Sequence, residues 1–293
     1  MSATLSSIEI EMKMNESVPR NEISRATINV AGVPTSYYEA GRDNSEPIVF
    51  LHGMSSSADS FREVMAELSQ AYWTIAPDIP GFGYSGDTHP YTFPRLINWL
   101  EEFLRESGAT PAHIVGHSFG GALAVSYALA DPADARTLIL LAPSVLRPGK
   151  YPQWLRKFAQ TDLSERLLAL GVSASRLLLQ RQMRAAFYDP SQYDSSLWER
   201  RARDYERARA SAAVLRASAL HNIRDDLHEI RQRSCIIWGE NDPVLESTDA
   251  AILSNLMPQS STTMHLLPQC GHIPHVEKHA HVMKIIHSFL DSE

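Results

Sequence analysis

His113-Ile114-Val115-Gly116-His117-Ser118-Phe119-Gly120-Gly121 is an apolar run that breaks sharply at a serine set among small residues. The β-rich start reads as a strand, and the small residues after the break start a helix that runs to about Ala130. Gly116-His117-Ser118-Phe119-Gly120 matches G-x-S-x-G, the signature of a nucleophile elbow. So tight a turn forces the serine into a strained backbone, and the residues two positions away on either side must be small. Gly116, Gly120 and Gly121 meet that demand. The helix beyond the turn also offers amide donors and a partial positive charge to an oxyanion. A five-residue pattern recurs by chance, and an ordinary glycine-rich turn would look similar; the strand before and the helix after distinguish this one.

Away from this break, strand and helix alternate, which implies a mostly parallel sheet with helices on both faces. Towards the N-terminus the spacing predicts a hairpin around Ala31-Gly32 and a buried strand over Ile48 to Leu51. A helix follows, with capping-box spacing at Ser60 and Glu63, and then a strand from Trp73 to Ala76. The next helix begins after Thr92 with Pro94 in its first turn and stops at Gly108. Towards the C-terminus, Leu138 to Leu141 is a strand. From about 144 to 227 the strand pattern disappears and Leu, Arg and Ala recur at helical spacing, as in the stretch 163–183. Strand logic resumes at Cys235-Ile236-Ile237-Trp238. A helix over about 247–256, a strand over 263–267 and an amphipathic helix over about 278–290 complete the chain. The expected organisation is a polar tail over 1–22, a core over 23–143 and 228–293, and a helical cap over 144–227.

The 293 residues suffice for one large domain, and 44% hydrophobic with 21% charged residues is ordinary for a globular protein. A net charge of −7 speaks against nucleic acid or an anionic membrane surface as main partner, since both require a positive face. The 2 cysteines, Cys235 and Cys270, rule out a disulfide framework and point to a reducing, cytoplasmic setting. The N-terminal residues lack the basic and apolar runs of a secretory signal, and no apolar stretch is long enough to span a bilayer. The expected partner is a small-molecule substrate, with no cofactor, for a monomer or homodimer.

Five stretches together resemble the α/β-hydrolase superfamily from about residue 24 to the end: Leu51-His52-Gly53-Met54, residues 78–85, Gly116 to Gly121, residues 238–243, and Cys270-Gly271-His272. They occur in that family's order, a far more specific match than any one of them. The resemblance implies an α/β-hydrolase fold with a mostly parallel central sheet, flanking helices and a cap insertion, and a serine hydrolase chemistry.

A serine hydroxyl needs a base within hydrogen-bond reach. Of the 12 histidines, His272 differs from the rest because it follows a glycine in a loop directly after a late strand. Strand ends of a parallel sheet open on one edge, so that loop can face Ser118. His275 is the nearest competitor; the spacing of His272, His275 and His279 also invites a metal reading, but no acidic or cysteine ligand set supports it. Asp242 lies just past the strand at 235–238 and fits the superfamily's Ser, Asp, His order, although an aspartate before a proline is also a common turn residue. Glu240 stands two positions too early for that pattern. Backbone amides of Met54 and Phe119 are the expected oxyanion donors. His52 and Gly53 bring the Met54 loop near the elbow, with His52 itself read as loop packing. Phe82 and Tyr84 either line the entrance or pack beneath it.

The arginine run at 198–211 reads as a solvated helix face with a Glu199–Arg203 pair, not as a phosphate or nucleic-acid site. A serine at position 118 speaks against the epoxide hydrolase and haloalkane dehalogenase branches, which use an aspartate there. The expected activity is that of a carboxylesterase on a small or medium ester or lactone. The alternative is a carbon–carbon bond hydrolase acting on a vinylogous diketone, which residues 187–200 resemble. Against that, Gly116-His117-Ser118-Phe119 departs from that group's usual G-N-S-M, and His52-Gly53-Met54-Ser55 lacks its glycine-proline. From another class, a non-catalytic small-molecule receptor on the same fold would retain the same motifs.

Overall fold

The computed structural model describes residues 22–146, 161, 181, 183–258 and 261–292. Nearly all of the expected polar tail, and residues 147–160, 162–180 and 182 of the expected cap, lie outside the described residues.

The strands are β1 (Ser24–Val30), β2 (Val33–Ala40), β3 (Pro47–Leu51), β4 (Trp73–Pro77), β5 (Ala112–His117), β6 (Ala135–Leu141), β7 (Arg233–Gly239) and β8 (Thr262–Leu267). They form one sheet in the order β1-β2-β4-β3-β5-β6-β7-β8. β1 and β2 make an antiparallel hairpin, closed at Ala31 (φ 49°) and Gly32 (φ 83°), the two left-handed residues that a twisted two-residue turn requires. β2 also runs antiparallel to β4, and every pairing from β4 through β3, β5, β6 and β7 to β8 is parallel. The β3 and β5 residues are all buried, as expected of central strands covered on both faces, His113 and His117 of β5 included.

Among the described residues the α-helices are α1 (Arg62–Leu68), α2 (Phe93–Ser107), α3 (Phe119–Ala130), α4 (Ser195–Glu206), α5 (Ser211–Leu220), α6 (Thr248–Leu256), α7 (Pro274–Glu277) and α8 (His279–Leu290). Leu96, Leu100 and Phe103 of α2 pack with α3 on one face of the sheet. Met65 and Leu68 of α1 pack with Val282, Met283 and Ile286 of α8 on the other. α2 begins and ends where expected: Thr92 accepts from the Arg95 amide, Pro94 lies in the first turn, and Gly108 caps the end at φ 78°.

Two local expectations fail. The capping box at Ser60 and Glu63 does not form: the chain turns earlier, through a 3₁₀ segment Ala58–Phe61 capped by Ser57, and α1 starts at Arg62. Ser57 supplants Ser60 because its hydroxyl reaches the Asp59 amide. The C-terminal helix runs over His279–Leu290, as expected, and Lys278 (φ −130°, ψ 43°) separates it from the one-turn α7 that precedes it. The Glu277 carboxylate at the end of α7 accepts from the amides of Tyr188, Gly271 and Ile273, which pins it against the preceding loop. Finally, the Glu199–Arg203 pair is not among the described ion pairs. α4 leans on α1, and Arg200 bonds Glu63 at 2.8 Å and approaches Asp59 at 3.4 Å. Arg201 and Asp204, read as part of a solvated face, are buried.

Candidate active site

The parallel strands deliver their C-terminal loops to one sheet edge, and the site assembles there. β5 ends in the turn at Ser118, whose backbone has φ 51° and ψ −113°. A non-glycine residue in that region costs about 1–3 kcal/mol and persists only where surrounding bonds over-determine it. Three do: the Ser118 amide donates to Leu141 O at 3.0 Å, and Ser118 O accepts from the Ala122 and Ser144 amides at 3.1 and 2.9 Å. The need for small neighbours is steric. A Cβ on Gly120 would lie 2.1 Å from Leu51 O, and one on Gly116 would lie 2.6 Å from Gly120 O.

The loop after β8 brings in His272, which is 6% exposed. Its Nε2 lies 3.0 Å from Ser118 Oγ and its Nδ1 lies 2.7 Å from Asp242 Oδ2. Asp242 comes from the loop after β7. Its Oδ1 accepts from the Val244 and Leu245 amides and its Oδ2 from Trp238 Nε1–H, so the carboxylate is held from four directions with its charge opposite Nδ1. That arrangement fixes the tautomer: Nδ1–H donates to the carboxylate and the Nε2 lone pair faces the hydroxyl. Glu240, exposed, takes no part. His275, the competing histidine, is buried against Phe61 with ring centroids 4.7 Å apart, and neither nitrogen has a partner among the described residues. Burial holds it well below the usual histidine range.

A cleft of about 570 Å³ opens at Ser118. Gly53, Met54, Ser55 and Ser56 form one wall; Met183, Phe187, Leu215, Val244 and Ile273 form an apolar one. Phe119 is the first residue of α3, so its amide precedes the first intrahelical bond and remains available. Its ring turns away, to Phe93.

Of His52, Gly53, Phe82 and Tyr84, the candidates for the substrate pocket, only Gly53 lies on the cleft among the described residues. His52 is fully buried; its Nδ1–H donates to Gly53 O at 2.8 Å and its Nε2 accepts from the Ile79 amide at 2.9 Å, so it staples two loops together. Phe82 is fully buried against His52. Tyr84 points to solvent between Arg25 and Arg207, whose guanidinium carbons lie 4.0 and 4.1 Å from its ring centre.

Sequence reasoning missed three residues here. His117 donates Nε2–H to the backbone carbonyl of His272 at 2.9 Å, tying the elbow to the loop that carries the imidazole; burial keeps it neutral, well below the usual histidine range. Glu277 gathers the amides of that same loop. Arg201 lines the cleft, 7% exposed, and bonds Ser56 Oγ at 3.2 Å. Among the described residues no carboxylate lies within 4.0 Å of its guanidinium. Helical spacing around Arg201 could have shown which face it takes, but a run of arginines conceals the one that turns inward. Neither Cys235 nor Cys270 is in a disulfide, no described helix is long and apolar enough to cross a membrane, and no cluster of three metal-ligating side chains occurs among the described residues.

A family model described as alpha/beta hydrolase fold matches residues 46–279. The 2-hydroxy-6-oxo-2,4-heptadienoate hydrolase of Pseudomonas putida is 27% identical over 93% of this chain and 98% of its own length. Lipase 1 of Psychrobacter immobilis is 26% identical over 87% of this chain and 80% of its own. Among solved structures, a thermophilic esterase from Thermogutta terrifontis superposes with a TM-score of 0.78 at 17% identity, covering 92% of this chain and 98% of that one.

Proposed function

The chain belongs to the α/β-hydrolase fold family and is a hydrolase, and from that premise we propose that it cleaves a small or medium carboxylic ester or lactone with Ser118 as nucleophile. The observation that carries this reading is the unbroken relay from Ser118 Oγ through His272 to Asp242, at 3.0 and 2.7 Å. In the reaction Ser118 Oγ attacks the acyl carbon while His272 Nε2 takes its proton. Negative charge grows on the former carbonyl oxygen, where the Met54 and Phe119 amides meet it. The imidazolium, held by Asp242, returns the proton to the departing alkoxide. Water, deprotonated by the same nitrogen, then frees the acid and restores the serine.

A second reading is favoured by one observation. Arg201 lines the cleft, buried, and although Asp204 and Asp59 act on its charge from a distance, no carboxylate among the described residues is ion-paired with it, which suits a substrate that brings its own. A vinylogous diketone bearing an acid group has that chemistry, and the Pseudomonas putida relative acts on such a compound by its name.

A p-nitrophenyl ester series, a dienedione acid and a fluorophosphonate probe separate the possibilities. Ester turnover that vanishes in Ser118→Ala supports the esterase. Dienedione cleavage far faster than any ester, lost in Arg201→Met, supports carbon–carbon cleavage. Labelling of Ser118 without turnover of either points to a receptor on the same fold.

A further inference from the structure

Met54 is followed by three serines, and each bonds a different residue of the segment between β6 and β7. Ser55 Oγ lies 2.8 Å from Ser211 Oγ. Because the Ser211 hydroxyl already donates to Ala208 O, Ser55 is the donor. Ser56 Oγ accepts from Arg201 Nη1 at 3.2 Å, and Ser57 Oγ donates to Asp204 Oδ1 at 2.6 Å. Ser56, Ser57, Ser211, Arg201 and Asp204 are all at most 7% exposed. The loop's own backbone contributes little restraint: one bond from the Ser56 amide to Gly53 O at 3.3 Å, then an anchor at the Ala58 amide on Asp78 Oδ1. Ser55 also sits at φ 59°, a conformation that a serine holds only when its surroundings impose it.

We propose that this clasp lets the insertion set the position of the Met54 amide, with Ser57 and Asp204 as positioning residues for the oxyanion site. The inference rests on the reading of Met54 as an oxyanion donor. Buried serines commonly satisfy themselves on nearby backbone; here three in succession reach across more than a hundred residues to side chains on or beside α4 and α5. A hydrogen-bond donor must be held to within about half an ångström to act on the transition state, so a tether of this kind affects the chemical step more than substrate binding. Of the three bonds, Ser57 to Asp204 is the shortest and joins a hydroxyl to a carboxylate, the stronger class of hydrogen bond.

The test is steady-state kinetics on p-nitrophenyl acetate together with inhibition by an aryl trifluoromethyl ketone, whose adduct with serine carries the oxyanion. Ser57→Ala is expected to lower kcat about tenfold, weaken the ketone by the same factor and leave KM within about twofold. Ser57→Thr keeps the hydroxyl and is expected to retain most activity. The double variant of Ser57→Ala with Asp204→Ala is expected to lose less than the product of the two single losses, because the Ser57–Asp204 bond is common to both. Should Ser57→Ala fold poorly, Ser55→Ala carries the same kcat-selective expectation through the bond to Ser211. The proposal is overturned by a rise in KM with kcat and ketone affinity unchanged, or by losses that simply add. A wild-type protein that neither hydrolyses the ester nor binds the ketone removes the acyl-transfer reading and the clasp's role with it. A wild type that does both, with Ser57→Ala indistinguishable from it, removes the clasp alone.

Discussion

Asp242 illustrates how one side chain can be read from a motif while its workings cannot. Its position after β7 was visible in the sequence, but the bonds from Trp238, Val244 and Leu245 that orient its carboxylate were not. Those bonds make a sharp expectation. In Asp242→Asn the amide oxygen takes the place of Oδ1 on the Val244 and Leu245 amides, leaving the NH₂ to face two donors, Trp238 Nε1–H and His272 Nδ1–H. The imidazole must shed that proton and present the wrong tautomer to Ser118, so kcat is expected to fall about 10³–10⁴-fold with the fold intact. A loss below about tenfold would mean the carboxylate does not set the tautomer. Ser118 and His272 were legible for the same reason as Asp242: each sits at a strand exit, where a local pattern specifies position. His52 was legible as loop packing, but the choice between lining and packing stayed open for Phe82 and Tyr84, because whether a loop side chain faces a cleft depends on contacts with distant segments such as His52, Arg25 and Arg207.

Among the elements, the strands were the most legible part of the fold, since an apolar run between turn residues has few alternatives in a sheet covered on both faces. The departures came where side chains met other elements: Ser57 moved a helix start, and Arg200 and Arg201 turned to Glu63 and Ser56 instead of solvent. The packing of α3 under β3 and β5 was foreseen only as a demand for small residues. Its tightness gives a second expectation. Gly120→Ala places a methyl group 2.1 Å from Leu51 O, backbone that cannot rotate away. The helix must retreat from the sheet, costing about 1–3 kcal/mol in urea unfolding and displacing the Phe119 amide, so activity should fall by more than stability alone explains. Wild-type stability in that variant would show that the contact relaxes freely.

For the molecule entire, the buried histidines dominate how stability should respond to acid. His52, His117, His221 and His275 are all held below the usual histidine range, chiefly by burial, with His221 pulled down to about 4. Each folded pKa is depressed, so the unfolded chain binds more protons as pH falls below about 6.5. Their stabilisation is full above that pH and is lost progressively towards pH 4, at up to about 1.4 kcal/mol per pH unit for each histidine. Asp204 runs the other way: burial raises it to about 6, so its charged form weighs against the fold above that pH and its protonation offsets part of the acid loss. The net expectation is a steep fall in unfolding free energy between pH 6.5 and 4.5, which His221→Gln should make shallower. Urea titrations at successive pH values measure this, and a flat profile across that window would contradict it. None of this balance was visible in composition, because 12 histidines say nothing about which are buried.

If Ser118 carries the acyl group between two half-reactions, rapid quenching of a p-nitrophenyl acetate reaction followed by peptide mass spectrometry will find it there. An acetyl group is expected on Ser118, formed and lost fast enough to sustain turnover and accumulating when deacylation is slowed. Sustained hydrolysis with Ser118 never acetylated, or with the acetyl group on another residue, would contradict it.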